Sequence, residues 1–219
     1  MSRSGYVAML DLGAGVVLVC AVVTLWRRSL AAIVRVLALQ GIALGGVALV
    51  LGLRQHDGAL VVVSFVVVAE KGAAIPAVLM RVVPRGPTSR ELSPLVNVPA
   101  SLVAAGALTL LAFAVSGPVV ALVPTATGRL VPLGLATVLI GVLAMAIRKK
   151  AVSQIVGLLL VDNGIALVAF LATGGFPLVV ELGASLDVLL VVVVLRVLGS
   201  EIRSRYGVLD LDELQELHD

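Results

Sequence analysis

Apolar residues in this chain fall into long, nearly unbroken runs rather than the short alternating stretches of strands. Seven runs stand out, at roughly 5–26, 30–53, 58–80, 95–116, 130–147, 152–173 and 177–199. Each is close to the length of about 20 residues that a helix needs to cross a bilayer core. The pattern predicts an all-α polytopic transmembrane helix bundle of seven spans. Valine runs such as Val191 to Val194 have strand propensity, yet they lack the alternation of a barrel and lie in segments too long for single strands. The first run has only Arg3 ahead of it, contains Asp11, and meets Trp26 and Arg27 in place of a small-residue cleavage site. It is expected to stay in the mature protein.

Composition agrees with the pattern: of 219 residues 60% are hydrophobic and 13% charged, with a mean hydropathy of +1.18, outside the range of ordinary soluble domains. The basic residues set a direction. Arg27, Arg28, Arg81, Arg85, Arg90, Arg148, Lys149, Lys150, Arg203 and Arg205 flank one side of the runs, ten in all, against Arg3, Arg54 and Arg129 on the other. Positive charge is retained on the cytoplasmic side, so the amino terminus is expected outside and the carboxyl terminus in the cytoplasm. Basic residues placed this way flank membrane spans and form no nucleic-acid face. One cysteine, Cys20, and two histidines, His56 and His218, leave too few ligands for haem, iron–sulfur or zinc sites. No cofactor, metal or active site of its own is expected.

The longest polar interval, Pro84 to Pro94, reads as a cytoplasmic linker. It divides residues 1–83, with three spans, from residues 95–203, with four; residues 204–219 form an acidic tail. In that tail Asp210 and Glu213 make a capping box, and Leu211, Leu214 and Leu217 recur every three residues. It either docks on a cytoplasmic partner or is a solvated end. Spans two and six share a basic start and the ending Gly-Ile-Ala-Leu at an offset of 123 residues, which aligns Gln40 with Asn163. Duplication and low-complexity similarity both account for this match.

Charge inside a span is costly, about 2.5–3.5 kcal/mol even on the insertion scale, so each such residue needs protein or water around it. Lys71, with Glu70 beside it, lies mid-run in span three; Asp162, with Asn163, in span six; Asp187 in span seven; Glu181 lies nearer the outer end of span seven and Asp11 in the outer half of span one. Arg35 and Arg196 are close enough to span ends to snorkel. Two readings follow. Lys71 neutralises Asp162 or Asp187 merely to hold helices together, or these groups form a proton or ion relay, because desolvation penalises the charged forms of both acids and amines. Asp11 reads as structural, and Gln40 as interhelical hydrogen-bond glue or a relay member. Gly41, Gly45 and Gly157 permit close helix approach, and Pro76 should kink span three and free a carbonyl near Gly72.

The segment Ser153 to Asn163 (SQIVGLLLVDN), followed by Gly164, Pro177, Val180-Glu181-Leu182-Gly183 and Asp187, resembles the hydrogenase-4 component E (HyfE) family. The similarity extends through the chain, with Lys71 and Pro76 matching a family lysine and proline, and is densest from Arg148 to Leu211. The last three helices of that family, here about 130–199, look like the K-type membrane subunit of respiratory complex I and the C-type subunit of multi-subunit cation/proton antiporters. The resemblance implies a multi-pass, non-catalytic subunit in the cell membrane of a bacterium or archaeon. Its partners would be antiporter-like membrane subunits and a peripheral redox arm, and Asp162, Lys71, Glu181 and Asp187 would lie on a lateral proton or cation pathway. Asp162 stands where the family has a glutamate, one methylene longer, and Glu70 has no firm counterpart there. A stand-alone secondary transporter and a purely structural assembly subunit are the rival classes.

Overall fold

A computed structural model describes residues 2–82, 96–123, 125–148 and 151–174. The elements are α1 (Arg3–Trp26), α2 (Leu30–Gln55), α3 (Gly58–Val67), a π-helical segment (Val68–Ala74), α4 (Ile75–Val82), α5 (Val98–Val115), α6 (Gly117–Leu122), a 3-10 turn (Gly128–Leu130), α7 (Val131–Ile147) and α8 (Ala151–Thr173). The protein is an all-α polytopic bundle. Among the described residues six helical stretches are long and apolar enough to cross a membrane, including Gly58–Arg81, which joins α3, the π segment and α4. They coincide with the first six predicted runs to within a few residues. The seventh run, with Glu181, Asp187 and Arg196, lies outside the described residues, as do the Pro84 to Pro94 linker and the acidic tail.

The chain runs up and down. At one end of the bundle the start of α1 meets the end of α2, where Arg54 stacks 5.7 Å from the Tyr6 ring centroid, and Asp11 accepts from Arg129 at 2.7 Å. Gln55 donates there to the carbonyl of Gly174 at the end of α8. At the other end Arg148, buried at the end of α7, donates to the carbonyls of Thr24 at 2.7 Å and Arg27 at 3.0 Å. It thereby satisfies acceptors that the end of α1 leaves open.

Local signals close the turns. His56 takes a left-handed conformation, φ 58°, at the end of α2, and Asp57 caps α3 by accepting from the amides of Ala59 at 2.9 Å and Leu60 at 3.2 Å. Asn97 caps α5 by accepting from the Ala100 amide at 3.1 Å, with proline in the first turn.

Glycine sets how closely the helices approach. A Cβ on Gly141 of α7 would lie 2.7 Å from the Val161 nitrogen, and one on Gly164 of α8 2.7 Å from the Val138 nitrogen. Backbones this close in lipid gain dispersion contacts that bulkier side chains would prevent. On α2, Gly41 and Gly45 do the same for the π segment and α3, with Cβ positions 2.4 Å from the Lys71 carbonyl carbon and 3.0 Å from the Ser64 oxygen. The aligned spans two and six therefore pack differently. Gly41 and Gly45 face α3 and the π segment, whereas Gly164 and Val168, at the same offset of 123 residues, face α7. Superposing spans two and three on six and seven would need residues outside the description.

Candidate functional site

The apolar core falls into two clusters. One, toward the Arg148 end, includes Leu25, Ile33, Leu37, Leu79, Ile140, Ile155 and Leu160. The other, toward the Arg3 end, includes Leu10, Val17, Leu44, Val67, Val131, Leu167 and Leu171. Between them five of the buried polar residues lie in one layer: Gln40 on α2, Lys71 in the π segment, Thr137 on α7, and Asp162 and Asn163 on α8. Each lies near the middle of its span, so the layer sits at the depth where water is scarcest.

The centre of the layer is an ion pair between Lys71 Nζ and Asp162 Oδ2. Both residues are buried, with 4% and 6% exposure. The pair joins two helices that are not close neighbours, because α2 lies between the π segment and α8. Gly41 makes the reach possible. With no side chain there, the Lys71 backbone lies directly on α2, and the four-carbon stem of the lysine passes α2 to reach α8. Of the two carboxylates expected to pair with Lys71, Asp162 does so; Asp187 lies outside the described residues.

Beside this pair runs a second polar connection. Asn163 Nδ2 donates to Gln40 Oε1 at 2.9 Å, and Gln40 Nε2 donates to the Val17 carbonyl on α1 at 2.9 Å. The two residues aligned by the sequence match therefore touch. Asp162 and Asn163 are adjacent in α8, as Gln40 and Gly41 are in α2, so the ion pair and the amide chain form one unit spanning α1, α2, the π segment and α8. Thr137 donates to its own helix, to Leu133 O at 2.9 Å.

The helical register around Lys71 differs from the expected simple kink. Residues Val68–Ala74 wind as a π-helix, and the Ile75 amide donates to the Glu70 carbonyl five residues back. Pro76 follows immediately, and its missing N–H is what makes the wider winding inexpensive here. Lys71 turns inward while Glu70 stays only partly buried. Single π turns inside α-helices recur at functional sites.

The remaining expectations divide clearly. Asp11, read as structural, pairs with Arg129 on a surface where their side chains are 45% and 50% exposed. Arg35 is exposed near the start of α2, as snorkelling requires. Glu181 lies outside the described residues. Sequence reasoning missed the burial of Arg148, counted there only as a loop charge, and the π winding. The signal for the first was a basic residue ending an apolar run opposite the end of α1; for the second, charged residues and a glycine just before a proline. Among the described residues no group of three or more His, Cys, Asp or Glu could hold a metal ion.

No protein-family model matches the sequence, and no solved structure does. The chain is similar to "Uncharacterized protein Rv0085" of Mycobacterium tuberculosis, 46% identical over 220 residues, which covers 100% of both chains. An identity this high over the full length of both makes the chain a member of the same family as that mycobacterial protein.

Proposed function

We propose that this protein is a non-catalytic membrane subunit of an energy-converting, complex I-like oxidoreductase of the hydrogenase type, in which the mid-membrane polar layer carries part of a lateral proton pathway. The observation that supports this reading most is the buried Lys71–Asp162 ion pair at the centre of the bundle. The similarity of SQIVGLLLVDN and the residues after it to HyfE subunits supplies the class of complex. In this reading the Arg148 end faces the cytoplasm of a bacterial cell, and antiporter-like subunits and a redox arm are the partners.

The chemistry is a proton transfer between Lys71 and Asp162. The Lys71 ammonium gives a proton to the Asp162 carboxylate, leaving a neutral amine and a neutral acid, so the layer keeps the same net charge. A proton arriving at the amine from one side and another leaving the acid on the other completes one net transfer. The Asn163–Gln40–Val17 chain holds α8 and α2 in register, so the donor–acceptor geometry survives the change in charge.

Asp162→Asn keeps size and hydrogen bonding but removes the titratable proton, and Lys71→Met keeps length but removes the charge. Both variants should assemble, pass electrons to an artificial acceptor, and lose most proton uptake per electron in vesicles, normalised to assembled complex. Wild-type coupling in both would remove the relay. If the pair only joins helices, the same changes should instead lower assembly, by about 3–5 kcal/mol where a lone buried charge remains, and assembled complexes should couple normally.

A further inference from the structure

Glu70 lies mid-span in the π segment, only partly buried, and makes no hydrogen bond or ion pair among the described residues, although its neighbour Lys71 is fully engaged. It borders the outward face of the third span, where Val62, Phe65, Val66, Ala73, Ala77 and Met80 are exposed. Lipid suits an apolar face of this kind. It does not suit the carboxylate beside it, which pairs with no cation among the described residues and is costly to hold in lipid.

We infer that this face of the third span docks a transmembrane helix of another polypeptide, which carries a lysine or arginine at mid-span opposite Glu70. Charge complementarity selects that occupant over two others. The chain's own run at 177–199 brings two more carboxylates, Glu181 and Asp187, and a single base, Arg196, near its far end in sequence. A second copy using this face about a two-fold axis would set Glu70 against Glu70. A basic residue on a different chain closes the charge balance and makes a pair in low dielectric, where register and partner choice are set most sharply. The inference deepens the subunit reading above by naming the surface through which the chain joins its neighbour.

The test places the photo-cross-linker p-benzoylphenylalanine at Ala73 in the full chain, expressed in its native host membrane, with Leu110 on α5 as a control position. The expected result is one adduct at Ala73 whose cross-linked peptide is a membrane span of a different protein bearing Lys or Arg. Glu70→Lys should reduce its yield about tenfold, and exchanging the partner's base for glutamate should restore it. Glu70→Gln, milder for folding, should reduce the yield in the same direction. An adduct of twice the chain mass, an adduct within residues 175–219, lipid adducts alone, or a yield indifferent to Glu70 would each overturn the inference. The two proposals fail separately. Wild-type coupling in the Asp162 and Lys71 variants with the Ala73 adduct present removes the relay and keeps the surface, whereas lost coupling without the adduct does the reverse.

Discussion

At the scale of single residues, glycine has as much to do with the site as the charges do. Lysine can cross α2 to Asp162 only because position 41 has no side chain: a Cβ there would lie 2.4 Å from the Lys71 carbonyl carbon and 2.5 Å from its oxygen. Both are backbone atoms that no rotamer change can move aside. Gly41→Ala should therefore separate α2 from the π segment and cost about 1–3 kcal/mol, read as a lower unfolding midpoint in detergent. Gly46→Ala is the control on the same helix, since its Cβ would meet nothing within 4 Å. It should be neutral or stabilising by up to about 1 kcal/mol, the helix propensity gained. Equal losses in both would mean that the close contact at Gly41 has no energetic consequence. The residue types of the ion pair were legible in the sequence, because charge in an apolar run announces itself. The partner was not, because pairing depends on which helices meet, and Asp187 was chemically as good a candidate as Asp162.

At the scale of elements, each helix is apolar on nearly every side, so periodicity says where a span begins and ends but not which way it turns. Ends were readable from the limits of the apolar runs and from flanking charge. The α2–α3 turn rests on the Asp57 carboxylate, which accepts two amides, and Asp57→Ala should cost about 1 kcal/mol while Asp57→Asn keeps most of it; thermal unfolding of the two variants side by side measures the difference. The π segment was not readable. Proline at position 76 signals a disturbed helix in any reading, but a kink and a wider turn relieve the same missing hydrogen bond. The choice follows from packing that puts Lys71 inward and leaves Glu70 at the margin. The match between spans two and six shows the converse limit. It aligned two residues that do touch, Gln40 and Asn163, yet the flanking glycines on the two helices face different neighbours.

At the scale of the whole molecule, a polar layer with an ion pair at its centre lies between two apolar clusters. Such a layer costs stability compared with an apolar core of equal volume, and the relay proposed above would account for that cost. The ten-to-three division of basic residues also belongs to this scale. Single-cysteine variants made in a Cys20→Ser background should be labelled from outside at residue 2, and only after permeabilisation at residue 88 in the linker and at residue 219. Termini on the same side of the membrane would contradict an odd number of spans with this orientation.

The sequence by itself determined the class of fold, the limits of six of the helical spans now described and the short list of charges that had to be explained. Those features are local: hydropathy and charge act within a run or at its ends, and lipid leaves few alternatives to a helix. Only the tertiary structure decided that Lys71 pairs with Asp162, that Arg148 closes the end of α1, that Asn163 meets Gln40, and that Glu70 stays only partly buried at the margin. The pairings join residues from 91 to 124 positions apart, and among helices apolar on all sides those contacts are chosen by backbone fit at glycines, which hydrophobic pattern does not encode.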